Sequence, residues 1–318
     1  MRSFAIFLGL IALGLAGIAV LGYPAWQLTQ AMGLEFKFHR VASRIAMLTL
    51  LVGFVLVARR LKVADRQSLG FGLPAGSFAA ETGKAILIGA LLLLPILATM
   101  VALDMRQLKA GIAPDAMGWL RLMLVGTATG LVVALIEETF LRGAMQSAIT
   151  RESGAVLGIA LPSLLYAATH FIGRYRVAAA DVDAGSGVDM LAGALAAFAH
   201  PLDIVDAFLC LTAVGVLLGL VRQFTGNIAA CVGLHAGWVA VIYAVRETSE
   251  RNPHSHANWL MSDYDGFIGW MVLGWTLVIG WVLWWWYGRS GATPSAPAPA
   301  RLPGARQDRR VRAAPACH

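Results

Sequence analysis

Residues 131–142 read Leu-Val-Val-Ala-Leu-Ile-Glu-Glu-Thr-Phe-Leu-Arg. Six apolar residues run unbroken into two adjacent carboxylates, Glu137 and Glu138, and Arg142 follows one turn later. The run has the character of a membrane helix, where an ionisable group is costly unless it is paired or reaches a wet cavity. Glu138 and Arg142 stand i,i+4 and can pair on one helix face. Glu137 lies about 100° away around the axis and is left over. A carboxylate so placed suits general-base chemistry. The plainer alternative is an interfacial charge cluster that ends a span.

The rest of the chain carries the same signature. Of 318 residues, 58% are hydrophobic and 14% charged. Soluble domains have about 45–50% apolar and about 25% charged residues, so an ordinary soluble enzyme, a disordered chain and a nucleic-acid module are excluded. The composition predicts an all-α, polytopic membrane helix bundle. About 20 apolar residues cross the hydrocarbon core, and eight stretches qualify: 4–28, 42–58, 83–103, 117–136, 154–172, 204–220, 228–245 and 267–287. The first is read as a retained span and not as a cleaved signal, because its apolar run is long and no clean cleavage site follows it.

These stretches divide the chain into N-terminal transmembrane helices (1–116), an inner helix bundle (117–246), a loop with the last span (247–288) and a Pro- and Arg-rich disordered tail (289–318). Arg59, Arg60, Lys62 and Arg66 follow the second span, and six arginines lie in the last 31 residues or so. The positive-inside rule then places both termini in the cytoplasm, with the bacterial inner membrane as the expected site. Asp181, Asp183 and Asp189 fall on the opposite side. Trp284, Trp285, Trp286 and Tyr287 are expected to form an interfacial belt. The net charge of +7 is read as attraction of the tail to anionic lipid, with no nucleic-acid partner. Three cysteines without a CxxC imply neither a disulfide framework nor a thiolate zinc site.

Spans four to seven are expected to form the inner bundle. Each carries or abuts a Gly-x-x-x-Gly: Gly126/Gly130, Gly154/Gly158, Gly215/Gly219 and Gly233/Gly237. Paired glycines on one face let backbones approach closely where lipid supplies no drive for association. The same spans hold the unusual polar groups. His170 closes Tyr166-Ala-Ala-Thr-His170, and His235 sits in Val232-Gly-Leu-His-Ala-Gly237. A lone intramembrane histidine is usually a packing residue. Two of them on different spans, with a carboxylate pair, form a plausible hydrolytic centre that holds a metal or a water directly. His-Glu-x-x-His and Gly-x-Ser-x-Gly are both absent, which excludes the common zincin and serine-hydrolase readings.

Glu-Glu-x-x-x-Arg at 137–142, aromatic-x-x-x-His at 166–170 and the further helix-borne His235 together resemble the CAAX-protease and bacteriocin-processing (CPBP, or Abi) family of intramembrane endopeptidases, over about residues 119–245. The resemblance implies metallo- or glutamate-type hydrolysis of a membrane-associated peptide or protein substrate in the bilayer. Glu137 would activate water, while Glu138 and Arg142 would hold its helix and neighbours. His170 and His235 would bind the water, the oxyanion or a metal; zinc, if used, would sit on His170, His235 and Glu137. Two positions depart from the family pattern. Tyr166 replaces a usual Phe, and Val239 stands where Asn or Asp is usual. Asn227, Thr169 or Tyr243 are the candidates to supply the missing polar corner.

Val239 also supports an alternative, a non-catalytic immunity or partner-stabilising protein of the same fold. A proton-coupled transporter is a third class, disfavoured because no inverted repeat is present. Depth adds a constraint. His170 lies about 24 Å along a helix starting at Gly154, whereas His235 lies about 12 Å into one starting at Asn227. The two converge if the membrane helix begins near Pro162, so residues 143–159 are expected to be partly interfacial.

Overall fold

Two long apolar helices, α1 (Arg2–Ala31) and α2 (Phe38–Arg60), form the N-terminal hairpin of the computed structural model, which describes residues 1–173 and 175–289. The tail expected over 289–318, with Cys317, falls outside the described residues apart from Arg289. Small residues set the α1–α2 seam. Gly22 faces the Phe38 ring and Gly14 faces Leu50, so bulky side chains of α2 fit against bare α1 backbone.

Next come α3 (Ala75–Ala102) and a three-residue strand β1 (Arg106–Leu108). Helix α4 (Ala116–Glu138) follows, and the Asp115 carboxylate caps it by accepting from the Gly118 N–H (2.7 Å). This cap satisfies one of the free amides of the first turn. The helix does not stop at the acidic pair. It widens into a π-helical stretch, Thr139–Met145, and continues as α5 (Gln146–Ser153). Gly154, with φ +86°, turns the chain back into α6 (Ala155–His170).

A short helix α7 (Ser186–Leu195) leads to α8 (Val205–Thr225) and α9 (Ala229–Thr248). Strand β2 (Ser249–Arg251) pairs antiparallel with β1, Arg106 opposite Arg251, and α10 (Trp270–Arg289) completes the described chain. Among the described residues this small ribbon is the only sheet.

Among the described residues, seven helical stretches are long and apolar enough to cross a membrane: α1, α2, α3, the continuous α4–α5 rod, α8, α9 and α10. The protein is an integral, multi-pass membrane protein. The expected fifth span is the 16-residue α6, about 24 Å long and so short of a hydrocarbon core about 30 Å thick. It begins at Ala155, not near Pro162, and Pro162 lies within it. The residue one turn earlier is Gly158, whose bare backbone eases the proline ring into the helix.

Helix α9 is the centre of the bundle, held between α3 and α4 by glycine contacts on both sides. A Cβ at Gly126 would stand 2.9 Å from Ala240 Cα, and one at Gly130 would stand 2.7 Å from the Ala236 carbonyl. On the other face, a Cβ at Gly237 would meet the Ile86 carbonyl at 2.4 Å. Gly215 and Gly219 serve the α8–α6 seam in the same way, against Ser163 and Ile159. Gly154/Gly158 is different, since Gly154 is the turn residue and Gly158 faces Thr150. The inner bundle extends beyond the four expected spans, because α3 packs along the length of α9. Its Gly89 comes so close to Leu234 that a Cβ would lie 2.7 Å from the Leu234 carbonyl.

Gly130→Ala should therefore force α4 off α9 and cost about 1–3 kcal/mol. Gly9→Ala, where an added Cβ meets nothing within 4 Å, should be neutral or slightly stabilising. Thermal unfolding of the two purified variants checks this.

The aromatic cluster of α10 divides. Trp284, Trp285 and Trp286 are exposed, as membrane-interface residues are. Tyr287 instead stacks on Phe224 of α8, with ring centroids 4.5 Å apart.

Candidate active site

The acidic pair stands where α4 widens into the π-helical stretch, and its two members face different surroundings. Glu138 is fully buried. Its Oε1 accepts from Arg142 Nη1 (3.1 Å) and from His235 Nδ1 (2.9 Å). Arg142 is equally buried, and its Nη2 donates to the Gly215 carbonyl of α8 (3.2 Å). One carboxylate thus ties α4 to α9 directly and to α8 through the arginine. Charged groups this deep are tolerated only when paired and hydrogen-bonded. The i,i+4 spacing of Glu138 and Arg142 is realised as an ion pair.

Glu137 remains outside this network. Its side chain is one-third exposed, and its Oε2 is buried without a hydrogen-bond partner among the described residues. That oxygen lies 4.0 Å from His235 Nε2. Since His235 gives its Nδ1 proton to Glu138, the neutral ring carries its lone pair at Nε2, toward Glu137. A buried carboxylate that holds a histidine tautomer while the far nitrogen faces the reacting position is the arrangement used to orient imidazole bases.

His170 comes from the end of α6. Its Nδ1 donates to the Tyr166 carbonyl one turn earlier (2.8 Å), because a carbonyl can only accept. The neutral ring then offers its Nε2 lone pair. Both imidazoles pack on the Tyr166 ring, with centroids 4.4 Å (His170) and 6.2 Å (His235) away. The Arg142 guanidinium lies over the same ring at 4.7 Å. Tyr166 therefore touches three of the five residues singled out from the sequence, and it is itself only 4% exposed. Sequence reading treated it as a mild variation. The signal available was its position one turn before His170 in a buried helix.

Tyr166→Leu should lower turnover by about tenfold or more, since small displacements of reacting groups are expensive. Tyr166→Phe keeps the ring and should stay within about threefold of wild type. A kcat loss in the leucine variant that the phenylalanine variant restores would separate ring packing from a hydroxyl role.

Val239 lies one turn beyond His235, where its side chain abuts Gly130 of α4. None of the three polar replacements reaches the cluster. Asn227 caps the start of α9, its Oδ1 accepting from the Ala229 N–H (2.9 Å). Thr169 Oγ1 donates back to the Tyr166 carbonyl (2.9 Å). Tyr243 packs two turns away, against Gly126. Gln146 went unnoticed in the sequence. It is buried, and its Nε2 donates to the Gly219 carbonyl (3.0 Å), which locks α5 to α8.

Among the described residues, no three His, Cys, Asp or Glu side chains stand close enough to share an ion. A zinc site takes three or more such ligands at about 2.0–2.3 Å.

Fold and site together define a polytopic helical membrane protein with a buried Glu–His–Arg cluster inside its bundle. Residues 119–241 match the family model described as type II CAAX prenyl endopeptidase, Rce1-like. That segment is similar to the CAAX-protease family, which the three motifs also resemble. The match covers the inner bundle from α4 into α9. No curated protein and no solved structure gives a significant match to the chain.

Proposed function

We propose that the chain is an intramembrane endopeptidase of glutamate type, in which Glu137 and His235 together hold the attacking water. Glu137 Oε2 and His235 Nε2 are two acceptors 4.0 Å apart. A water that gives one hydrogen to each, with bonds of about 2.8 Å, needs acceptors separated by about 4–4.5 Å. Its lone pair is then free to attack the scissile carbonyl carbon. Glu137 takes the proton as the carbon–oxygen bond forms, then delivers it to the leaving nitrogen as the carbon–nitrogen bond breaks. The products are a carboxylic acid and an amine, which exchange the second proton of the water to leave a carboxylate and an ammonium. Glu138 keeps His235 in the required tautomer, and Arg142 holds Glu138 in place. We assign the developing oxyanion to His170, which packs on the same Tyr166 ring as His235.

The observation that carries this reading is the Glu138–His235–Glu137 alignment, in which Glu138 Oε1 is bound to Arg142 and His235 while Glu137 makes no hydrogen bond to the described protein. The substrate is a membrane-associated peptide or protein, a prenylated one if it follows the description of the family. Basic residues at the ends of α2 and α5 and in the tail support a cytoplasmic location for both termini.

Wild type and Glu137→Gln expressed side by side in membranes test the proposal. Fragments with new C-termini that form only with wild type are expected, from a preparation whose metal content is below one equivalent. One equivalent of bound zinc would replace the glutamate-type mechanism with a metal one. Val239, apolar where the family has Asn or Asp, favours a second reading as a non-catalytic protein of the same fold. Identical fragment profiles would support that reading.

A further inference from the structure

The basic end of the bundle carries a second site, unrelated to the Glu–His cluster. Where the start of α1, the end of α2 and the end of α5 meet, they border an open cavity of about 520 Å³ lined by Arg2, Arg60, Lys62 and Arg151, with Leu61 and Ala148 as its apolar part. Glu152 also lines it, but its carboxylate is consumed by the first turn of α1, accepting from the backbone N–H of Arg2 (2.6 Å) and Ser3 (2.8 Å). Arg151 is anchored, its Nη1 donating to the Lys62 carbonyl (3.1 Å) and its Nε to the Ser147 carbonyl (3.3 Å). The side chains of Arg2, Arg60 and Lys62 have no hydrogen-bond or ion-pair partner among the described residues. Three unpaired cations and one anchored cation thus converge on a space far larger than a bare phosphate fills.

The approach to the cavity identifies the kind of ligand. Val52, Leu56 and Arg60 stand i, i+4, i+8 on α2, so they form one stripe along the helix. Val52 is 51% exposed and Leu56 60%. The stripe runs from bare apolar surface within a membrane span to a cation at the cavity. A free anion would have no use for it. An acyl chain would lie along Val52 and Leu56 with its headgroup at Arg60 and Lys62. We propose that this cavity binds the phosphate-bearing headgroup of an anionic lipid, with one acyl chain on the α2 stripe. Basic pockets between transmembrane helices at the positively charged face recognise such headgroups by the same physics.

The full-length protein, purified in a neutral detergent, would be titrated with phosphatidylglycerol, with phosphatidylcholine and with inorganic phosphate, and bound species counted by native mass spectrometry. Phosphatidylglycerol should be retained in preference to phosphatidylcholine. The double variant Arg60→Gln/Lys62→Gln should bind it roughly 30-fold more weakly, as expected for two cations each acting near a charged headgroup. Arg44→Gln, near the opposite end of α2, should bind as wild type does, with all three proteins matched in thermal stability. Leu56→Gln should weaken phosphatidylglycerol binding without creating any for phosphate. Equal retention of the two lipids, or an unchanged double variant, would overturn the proposal. Displacement of phosphatidylglycerol by millimolar phosphate would overturn the lipid assignment and leave a free-phosphate site.

Discussion

Glu137→Gln is expected to reduce proteolytic turnover by about 10³-fold while leaving thermal stability close to that of wild type. The reduction follows from the loss of a general base, an effect that spans about 10²–10⁴-fold. Unchanged stability follows from position. Glu137 is one-third exposed, and its Oε2 makes no hydrogen bond to the described protein, so an amide of the same shape disturbs nothing that holds the helices. KM should change little, because the substitution removes a group needed in the transition state and not a binding surface. The neighbouring change gives the contrast. Glu138→Gln removes the charge shared by Arg142 and His235 and should lower stability as well as turnover. If Glu137→Gln unfolds the protein, or leaves turnover within a few-fold of wild type, the division of labour between the two glutamates is wrong.

The second large effect concerns Arg142. Arg142→Met should destabilise the protein by about 3–5 kcal/mol, because removing one partner of a buried pair strands the other charge. For a chain of this size that corresponds to a fall of roughly 10 °C in Tm. Glu138 would then keep only His235 as a partner on its bonded oxygen, and α4 would lose its tie to the Gly215 carbonyl of α8. The double variant Arg142→Met/Glu138→Leu should recover much of that stability, since an apolar pair of similar volume often replaces a buried ion pair without loss. It should recover no activity, because His235 loses the acceptor that sets its tautomer. Thermal unfolding followed by fluorescence, beside a cleavage assay on the same samples, reads both quantities. Recovery of activity in the double variant would remove Glu138 from the mechanism.

The membrane architecture was legible residue by residue. Uninterrupted apolar runs can be satisfied only as helices in lipid, since each backbone group must find its partner within the segment. The Glu138–Arg142 pair followed from helical spacing alone, and so did the separation of Glu137 from it. The glycine pairs at 126/130 and 233/237 announced close packing, and the seams of α9 use them. Spacing could not tell that Gly154 serves a turn, because one positive φ removes it from a helix face.

What only the tertiary structure decided is which nitrogen meets which oxygen. His235 and Glu138 are 97 residues apart in sequence and 2.9 Å apart in space, and no local rule relates them. The same holds for the role of Tyr166. His170 lies one turn along the same helix, but the Tyr166 ring meets Arg142 and His235 only when α6, α9 and the π-helical stretch after α4 pack together. Local periodicity sets which residues form a helix and which share its face, because those depend on neighbours three or four residues away. The rotation and depth of one helix against another depend on side chains and bare glycines distributed over the whole chain, and that rotation turns two glutamates of identical chemistry into one structural anchor and one candidate base.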